Sequence, residues 1–175
     1  MSDIPSDGAI MLDQVRARNT RELVHKIVSD VKLLIRKSKV QVPGQCELEI
    51  SHHYGLEHFR ESGITAITVV NREYCKRLMV VLPGQKHPEQ WHNSKDETYH
   101  ILYGDVTVEL DGAQSTHKAN DIITIANGVR HSFWTKHGTI IEEVSSNYST
   151  NDSFYTDPNI TTNPNRKTFV TYWLG

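Results

Sequence analysis

The chain has 175 residues, enough for one domain with a substantial core. Charged residues make up 23%, apolar residues 37%, and the formal net charge is -2; with no long basic run, nucleic acid is excluded as an expected partner. Apolar runs such as Leu78 to Leu82 are too short to span a bilayer, no apolar stretch follows a basic start, and two cysteines (Cys46 and Cys75) make no disulfide framework, so a reduced cytoplasmic protein without membrane contact is expected.

In chain order, the first ten or so residues are polar, contain Pro and Gly, and are expected to be loose. Leu23, Val24, Ile27, Val28, Val31, Leu34 and Ile35 then recur at three- and four-residue steps, which predicts a helix from about Thr20 to about Lys37. Asn19 or Thr20 would cap it, with Glu22 three residues after Asn19 as in a capping box. Pro43-Gly44 ends that region. A second, short helix is predicted over Leu56 to Ser62, stopped at Gly63.

Beyond Gly63 the texture turns to Val, Ile, Thr and Tyr. Ile64 to Asn71 and Tyr74 to Leu82 read as strands. Thr98 to Tyr103 and Val106 to Leu110 read as a hairpin turning at Gly104-Asp105, with a further turn at Asp111-Gly112. Ile122 to Ile125, His131 to Thr135, Thr139 to Ser145 and Lys167 to Trp173 continue the series. Short strands at near-even spacing predict an all-β antiparallel sandwich or barrel. The Ser/Thr/Asn/Asp/Pro-rich stretch from Ser145 to Asn165 is expected to run over the surface, across a barrel mouth.

The chemistry concentrates between Gly84 and Gly104. On a strand, positions two apart share a face, so Gln90 and His92 point the same way. Four residues of turn follow, and Glu97 opens the next strand. Antiparallel neighbours lie about 5 Å apart, which lets Glu97 reach the point that His92 faces.

Gly84, His92, Glu97 and Gly104 resemble the first cupin motif, Gly-x5-His-x-His-x3-4-Glu-x6-Gly. Gly128 and His131 resemble the second, Gly-x5-Pro-x-Gly-x2-His-x3-Asn. Gln90, Asn120, Ala126 and Thr135 depart from these patterns. The resemblance implies an antiparallel jelly-roll β-barrel with an N-terminal helical segment: residues 1–45 packing on the barrel, residues 46–175 forming it. It also implies one divalent metal ion held by His92, Glu97 and His131, with Gln90 standing where the family has its first histidine. Imidazole and carboxylate suit Zn, Mn, Fe or Ni, and a glutamine oxygen is a weaker ligand. The alternative for the same residues is a metal-free polar pocket.

Further residues, Ile50-Ser-His-His-Tyr-Gly, Asn71-Arg-Glu-Tyr-Cys-Lys, Leu82-Pro-Gly-Gln-Lys-His-Pro-Glu, Leu102-Tyr-Gly-Asp and Asp152-Ser-Phe-Tyr-Thr-Asp, resemble small sugar-isomerase-type cupins related to D-lyxose isomerase. They also resemble the cupin that accompanies sialic-acid synthase-like proteins in bacterial surface-sugar pathways. The implied activity is isomerisation or epimerisation of a sugar or sugar acid. An Fe(II)-dependent oxygenase and a non-enzymatic sugar-binding or regulatory module are the alternatives.

Other residues take roles around this expectation. Glu142 and Glu143 lie on one strand, so alternation sends one inward as a candidate general base; the alternative is a rim carboxylate or one tied up by an Arg. Lys95 and Lys86 flank the site and could hold an anionic substrate, against the plainer reading of solvated loop lysines. Tyr99 and Tyr103 share the face of Glu97, and Tyr99 is near enough to line the pocket. His87, before the ligand strand proper, is a reserve ligand, His100 has the wrong parity, and His52 and His53 are expected on the surface or in hydrogen bonds. One of Phe133 and Trp134 should face the barrel. The helix stripe is a packing face on the barrel; its alternative is a contact in a homodimer, since cupins often pair.

Overall fold

A computed structural model of the protein describes residues 7–146, 149 and 151–173. Its elements are α1 (Asp7–Ser38), β1 (Glu47–Ser51), a 3-10 turn (Leu56–His58) running into α2 (Phe59–Ser62), β2 (Ile64–Asn71), β3 (Cys75–Val81), β4 (Lys86–Trp91), β5 (Glu97–Leu110), β6 (Ala113–Lys118), β7 (Ile122–Ile125), β8 (His131–Trp134), β9 (Thr139–Ser145), β10 (Phe154–Tyr155), α3 (Pro158–Thr161) and β11 (Lys167–Val170). The strands pair in the order β10-β4-β8-β5-β9-β3-β2-β1-β11, and β6 and β7 both pair with β5. Every pairing is antiparallel. The sheet curls into a barrel whose two edges, β10 and β11, are joined by the segment carrying α3.

The helix α1 begins at Asp7, thirteen residues before the predicted start at Thr20, so Asn19 and Thr20 lie inside it and cap nothing. Residues 7 onward are thus helical where a loose segment was expected, and residues 1–6 lie outside the described residues. Its C-terminal half makes the predicted contact. Ile27, Val31 and Leu34 are buried against Leu48, Ile50, Ile67, Leu78, Val80 and Ile140 on the outer face of the sheet. The helix ends where Lys39 takes a left-handed conformation (φ 61), its N–H bonded to the carbonyl of Ile35.

The inner face builds a second apolar layer from Ala66, Met79, Val81, Tyr99, Ile101, Val108, Phe133 and Ile141. Alternation along β2, β3 and β9 feeds both layers, so apolar residues of these strands face both ways, as Val80 and Ile140 do to the helix side and Met79 and Ile141 to the inner side.

The predicted turn at Gly104-Asp105 is absent. Glu97 to Leu110 is one strand of 14 residues, whose first half pairs with β9 and β7 and whose second half pairs with β6 and β8. The strand must bend to serve both sides of the barrel. A register shift against β9 between Ile101 and Tyr103 and a positive φ of 78° at Gly104 supply the bend. A Cβ at Gly104 would lie 2.2 Å from the carbonyl oxygen of Gly138, so glycine is required for close approach as well as for φ. The same shift turns Tyr103 outward to the helix-side cluster, against the expectation that it shares the face of Glu97. The hairpin turn falls instead at Asp111-Gly112, leading into β6.

Candidate metal centre and active site

β4 carries a bulge. His87 stands opposite Phe133 and Gln90 opposite His131, so three residues on β4 span two on β8. The extra residue lies in Pro88-Glu89, where proline cannot donate to the ladder. The bulge puts His87 and Gln90 on the same inner face despite their odd spacing, and His92 follows at the end of the strand. Glu97 opens β5, and His131 opens β8.

These elements bring His92, Glu97 and His131 together. Among the described residues they are the group whose ligand atoms converge, all within 4.8 Å of one another, and all three residues are buried. His131 Nδ1 donates to the carbonyl of Val129 at 3.0 Å, and His92 Nδ1 donates to the carbonyl of Asp152. Both rings therefore present Nε2 lone pairs to the centre. Each Nε2 lies 3.3 Å from a Glu97 oxygen, Oε1 for His92 and Oε2 for His131. His92 Nε2 is buried and makes no hydrogen bond. Lone pair faces carboxylate oxygen, an arrangement that a cation between them relieves. The donor set and the unsatisfied nitrogen fit a divalent ion held by these three residues. Gln90 is adjacent, with its amide nitrogen 3.2 Å from His131 Nε2; its oxygen would face the centre only after the carboxamide turns over.

A run of buried charges leads away from the triad. Lys95 Nζ lies 2.5 Å from Glu97 Oε1 and 3.0 Å from Glu143 Oε1. Arg77 Nη2 lies 2.6 Å from Glu143 Oε2. Lys167 Nζ lies 2.7 Å from Glu49 Oε1, which also accepts from Ser51. Desolvation would raise the Glu97 carboxyl, but Lys95 and the two imidazoles outweigh it and hold the group well below its ordinary value. At Glu49 burial is likewise outweighed, by Lys167 and Arg77, and the carboxyl falls to about 2. Burial pulls the Lys95 ammonium towards deprotonation, yet Glu143 and Glu97 raise it above its usual value. Tyr99 donates to Glu97 Oε2 at 3.1 Å; burial first, and then that carboxylate, push its phenol well up.

Several of these groups line one interior cavity, whose walls include Glu49, Arg77, Gln90, His92, Glu143 and Lys167. Of the paired glutamates, Glu143 is the inward one and is tied to Arg77 and Lys95. Glu142 faces out, bonded to Lys76 at 2.6 Å and beside His100, which also points away from the centre. Lys95 is not a solvated loop lysine: it is 3% exposed. The loop that carries it is held by Asp152, whose carboxylate accepts from the N–H groups of Asn93 and Ser94, and by Asp96, which accepts from Asn127 N–H. Lys86 is exposed, its ammonium over the Trp134 ring, and joins no part of the cluster.

His87 is buried inside β4, stacked on Phe133 at 4.7 Å and edge-on to His53 at 4.9 Å. It is a wall of the cavity rather than a fourth member of the converging group. His53 is wholly buried and hydrogen-bonded to the carbonyl of Ser62 at 2.6 Å; burial lowers its pKa to about 4. Phe133, not Trp134, faces inward. Sequence reading missed Arg77, Glu49, Lys167 and Asp152. Arg77 had a signal, a charge in the middle of the apolar strand Cys75–Val81. Asp152 had none, because its role depends on a long-range return of the chain.

Comparison with known proteins then bears on this geometry. Residues 77–141, which carry the triad, match the family profile of the cupin domain. The fold is a cupin barrel. Across 86% of its length the chain is 22% identical to the D-lyxose/D-mannose isomerase of Thermosediminibacter oceani, covering 96% of that protein. The cupin barrel and its flanking elements also superpose on L-ribose isomerase of Cellulomonas parahominis with a TM-score of 0.67, at 14% identity, over 81% of this chain and 94% of that one. L-ribose isomerase of Geodermatophilus obscurus gives a TM-score of 0.66 at 13% identity, with the same coverage. At these identities the two structures bear on the cupin fold alone. No helix among the described residues is long and apolar enough to cross a membrane.

Proposed function

We propose that this cupin is a metal-dependent aldose-ketose isomerase or epimerase acting on a sugar or sugar acid, in carbohydrate metabolism that includes surface sugars. The observation that carries the reading is that His92, which converges with Glu97 and His131, lines the same polar cavity as an inward carboxylate, Glu143. The end-to-end similarity to a D-lyxose/D-mannose isomerase supports it.

His92, Glu97 and His131 would hold the ion, with Gln90 as a turned-over fourth ligand. Bound there, a divalent ion supplies Lewis-acid polarisation of neighbouring substrate oxygens, which lowers the cost of negative charge when a proton leaves carbon. Glu143 is the base. Its carboxylate takes the proton from the carbon next to the carbonyl and returns it to the carbonyl carbon, while the hydroxyl proton moves from one oxygen to the other. Lys95 holds one oxygen of the carboxylate and Arg77 the other, which fixes the group in the cavity wall. Tyr99 steadies Glu97 by donating to its Oε2. Glu142, on the outer face, plays no part.

The test is turnover by the purified protein on a panel of pentoses, hexoses and sugar acids, before and after chelation and after returning Mn, Zn, Fe or Ni. Activity that falls on chelation and returns with one metal supports the reading. A metal-loaded protein inert on the whole panel overturns it. One observation favours a second reading, a metal-free sugar-binding module: Lys95 already neutralises Glu97 without an ion. Metal content of the protein as isolated separates the two, with less than about a tenth of an equivalent favouring the module.

A further inference from the structure

Glu97 is a buried carboxylate, 3% exposed, and burying such a charge is costly unless a cation is held close. The structure already supplies one. Lys95 Nζ sits 2.5 Å from Glu97 Oε1 and bridges to Glu143 Oε1 at 3.0 Å. Its side chain is 2% exposed, so solvent does not screen it. Its backbone has little freedom to withdraw, since the loop 93–96 is held on one side by the Asp152 carboxylate and on the other through Asp96 and Asn127. The oxygen that Lys95 grips is the one facing His92 Nε2, the buried nitrogen without a hydrogen bond. An ion taken up by the triad would therefore share Glu97 with a fixed ammonium.

Resting on the metal reading above, we propose that Lys95 is a built-in substitute for the divalent ion: it neutralises Glu97 when the ion is absent and opposes the ion when it arrives. The charges make the consequence definite. Lys95 and Arg77 balance Glu97 and Glu143, so the empty cluster is neutral and the loaded one carries +2. Removing the ammonium leaves the empty cluster at -1 and the loaded one at +1. The lysine thus stabilises the metal-free barrel and weakens metal binding by the same electrostatic interaction. It acts on the site through Glu97 and Glu143 and is a positioning residue, distinct from the sequence expectation that it holds an anionic substrate.

The experiment compares the full-length protein with Lys95→Met and Lys95→Arg, titrating Mn2+ and Zn2+ by calorimetry and recording melting temperatures with and without metal. Lys95→Met is expected to melt lower than wild type when metal-free, to bind Mn2+ at least tenfold more tightly, and to gain more in melting temperature from the ion. Lys95→Arg, which keeps the charge, is expected to stay within about threefold of wild-type affinity. Metal affinity in Lys95→Met equal to or weaker than wild type overturns the proposal while leaving the metal reading intact. Failure of wild type and both variants to take up either metal overturns both. If Lys95→Met does not fold without metal, wild-type protein labelled with 15N at lysine decides. The Lys95 ammonium resonance is expected to move on Zn2+ addition, and an unmoved signal at saturating Zn2+ is the contrary result.

Discussion

Carbonyl oxygens aim the two imidazoles of His92 and His131, so that both turn an Nε2 lone pair towards the centre. With Nδ1 committed to Val129 and Asp152, the Nε2 atoms can only accept. Gln90 is the weak corner. Gln90→His is expected to tighten Mn2+ or Zn2+ binding about tenfold, equivalent to about 1.4 kcal/mol; calorimetric titration with no change would show that the side chain does not reach the ion. A second prediction concerns His53. Its pKa is lowered, so the unfolded chain binds its proton more readily than the folded one. Stability is then fully present above pH 6.5 and is lost as pH falls towards 4. Urea unfolding at pH 5 should show a loss of about 2 kcal/mol from this group relative to pH 7, at 1.36 kcal/mol per pKa unit. His53→Gln should flatten that slope, and an equally steep slope in the variant would remove His53 as its source. His131 and His87 are lowered by burial in the same direction and add to the effect. At this scale His92 and Glu97 were legible from spacing, because a strand fixes which residues share a face, and His131 from the resemblance to the second cupin motif. Lys95 was not: the direction of a loop side chain depends on what pins the loop, and here that is Asp152, 57 positions away in sequence.

Among the elements, β4 and β5 do most to place the site, and each departs from a regular strand. The bulge at Pro88-Glu89 turns His87 into the cavity, and the kink at Gly104 lets one strand serve two sides of the barrel. Gly104→Ala would combine a positive φ with a Cβ 2.2 Å from the Gly138 carbonyl oxygen. It is expected to destabilise by on the order of 3 kcal/mol, seen as a lower midpoint in thermal or urea unfolding. A wild-type midpoint would mean that the strand bends by some other means. Gly104-Asp105 looked like a hairpin turn because glycine before aspartate between two apolar runs is the usual sign of one. The same glycine also answers a demand for close approach, and sequence alone does not separate the two. The start of α1 was misplaced for a related reason. The apolar stripe marks only the part of a helix that packs, and the exposed residues from Val15 to Glu22 continue the helix without it.

For the molecule as a whole, the decisive feature is how an open sheet becomes a closed cavity. Its edges β10 and β11 are bridged by α3 and its flanks. Ile160 is fully buried, Asn163 donates to the His53 carbonyl, Tyr54 donates to Asp157, and Arg166 lies over Tyr155. Ile160→Ala is expected to cost about 3 kcal/mol and to speed protease cleavage between residues 151 and 166, while far-UV circular dichroism of the barrel is retained. Cleavage at the wild-type rate would show that the bridge is held elsewhere. The sequence expectation of a surface excursion from Ser145 to Asn165 holds in outline. Residues 147, 148 and 150 of it lie outside the described residues, and the rest carries Asp152, Tyr155 and the closing helix.

By itself the sequence determined the run of antiparallel strands, the packing stripe of α1 and the nearness of His92 to Glu97, because these rest on short-range periodicity that the backbone enforces locally; the choice of a barrel and the place of His131 came from the resemblance to the cupin motifs. Only the tertiary structure decided that Lys95 is buried, that Glu143 rather than Glu142 faces inward with Arg77 against it, and that Asp152 returns to hold His92. Those facts are pairings between segments far apart in the chain. They are selected by the cost of burying charge without a partner, and that cost exists only once the barrel has closed.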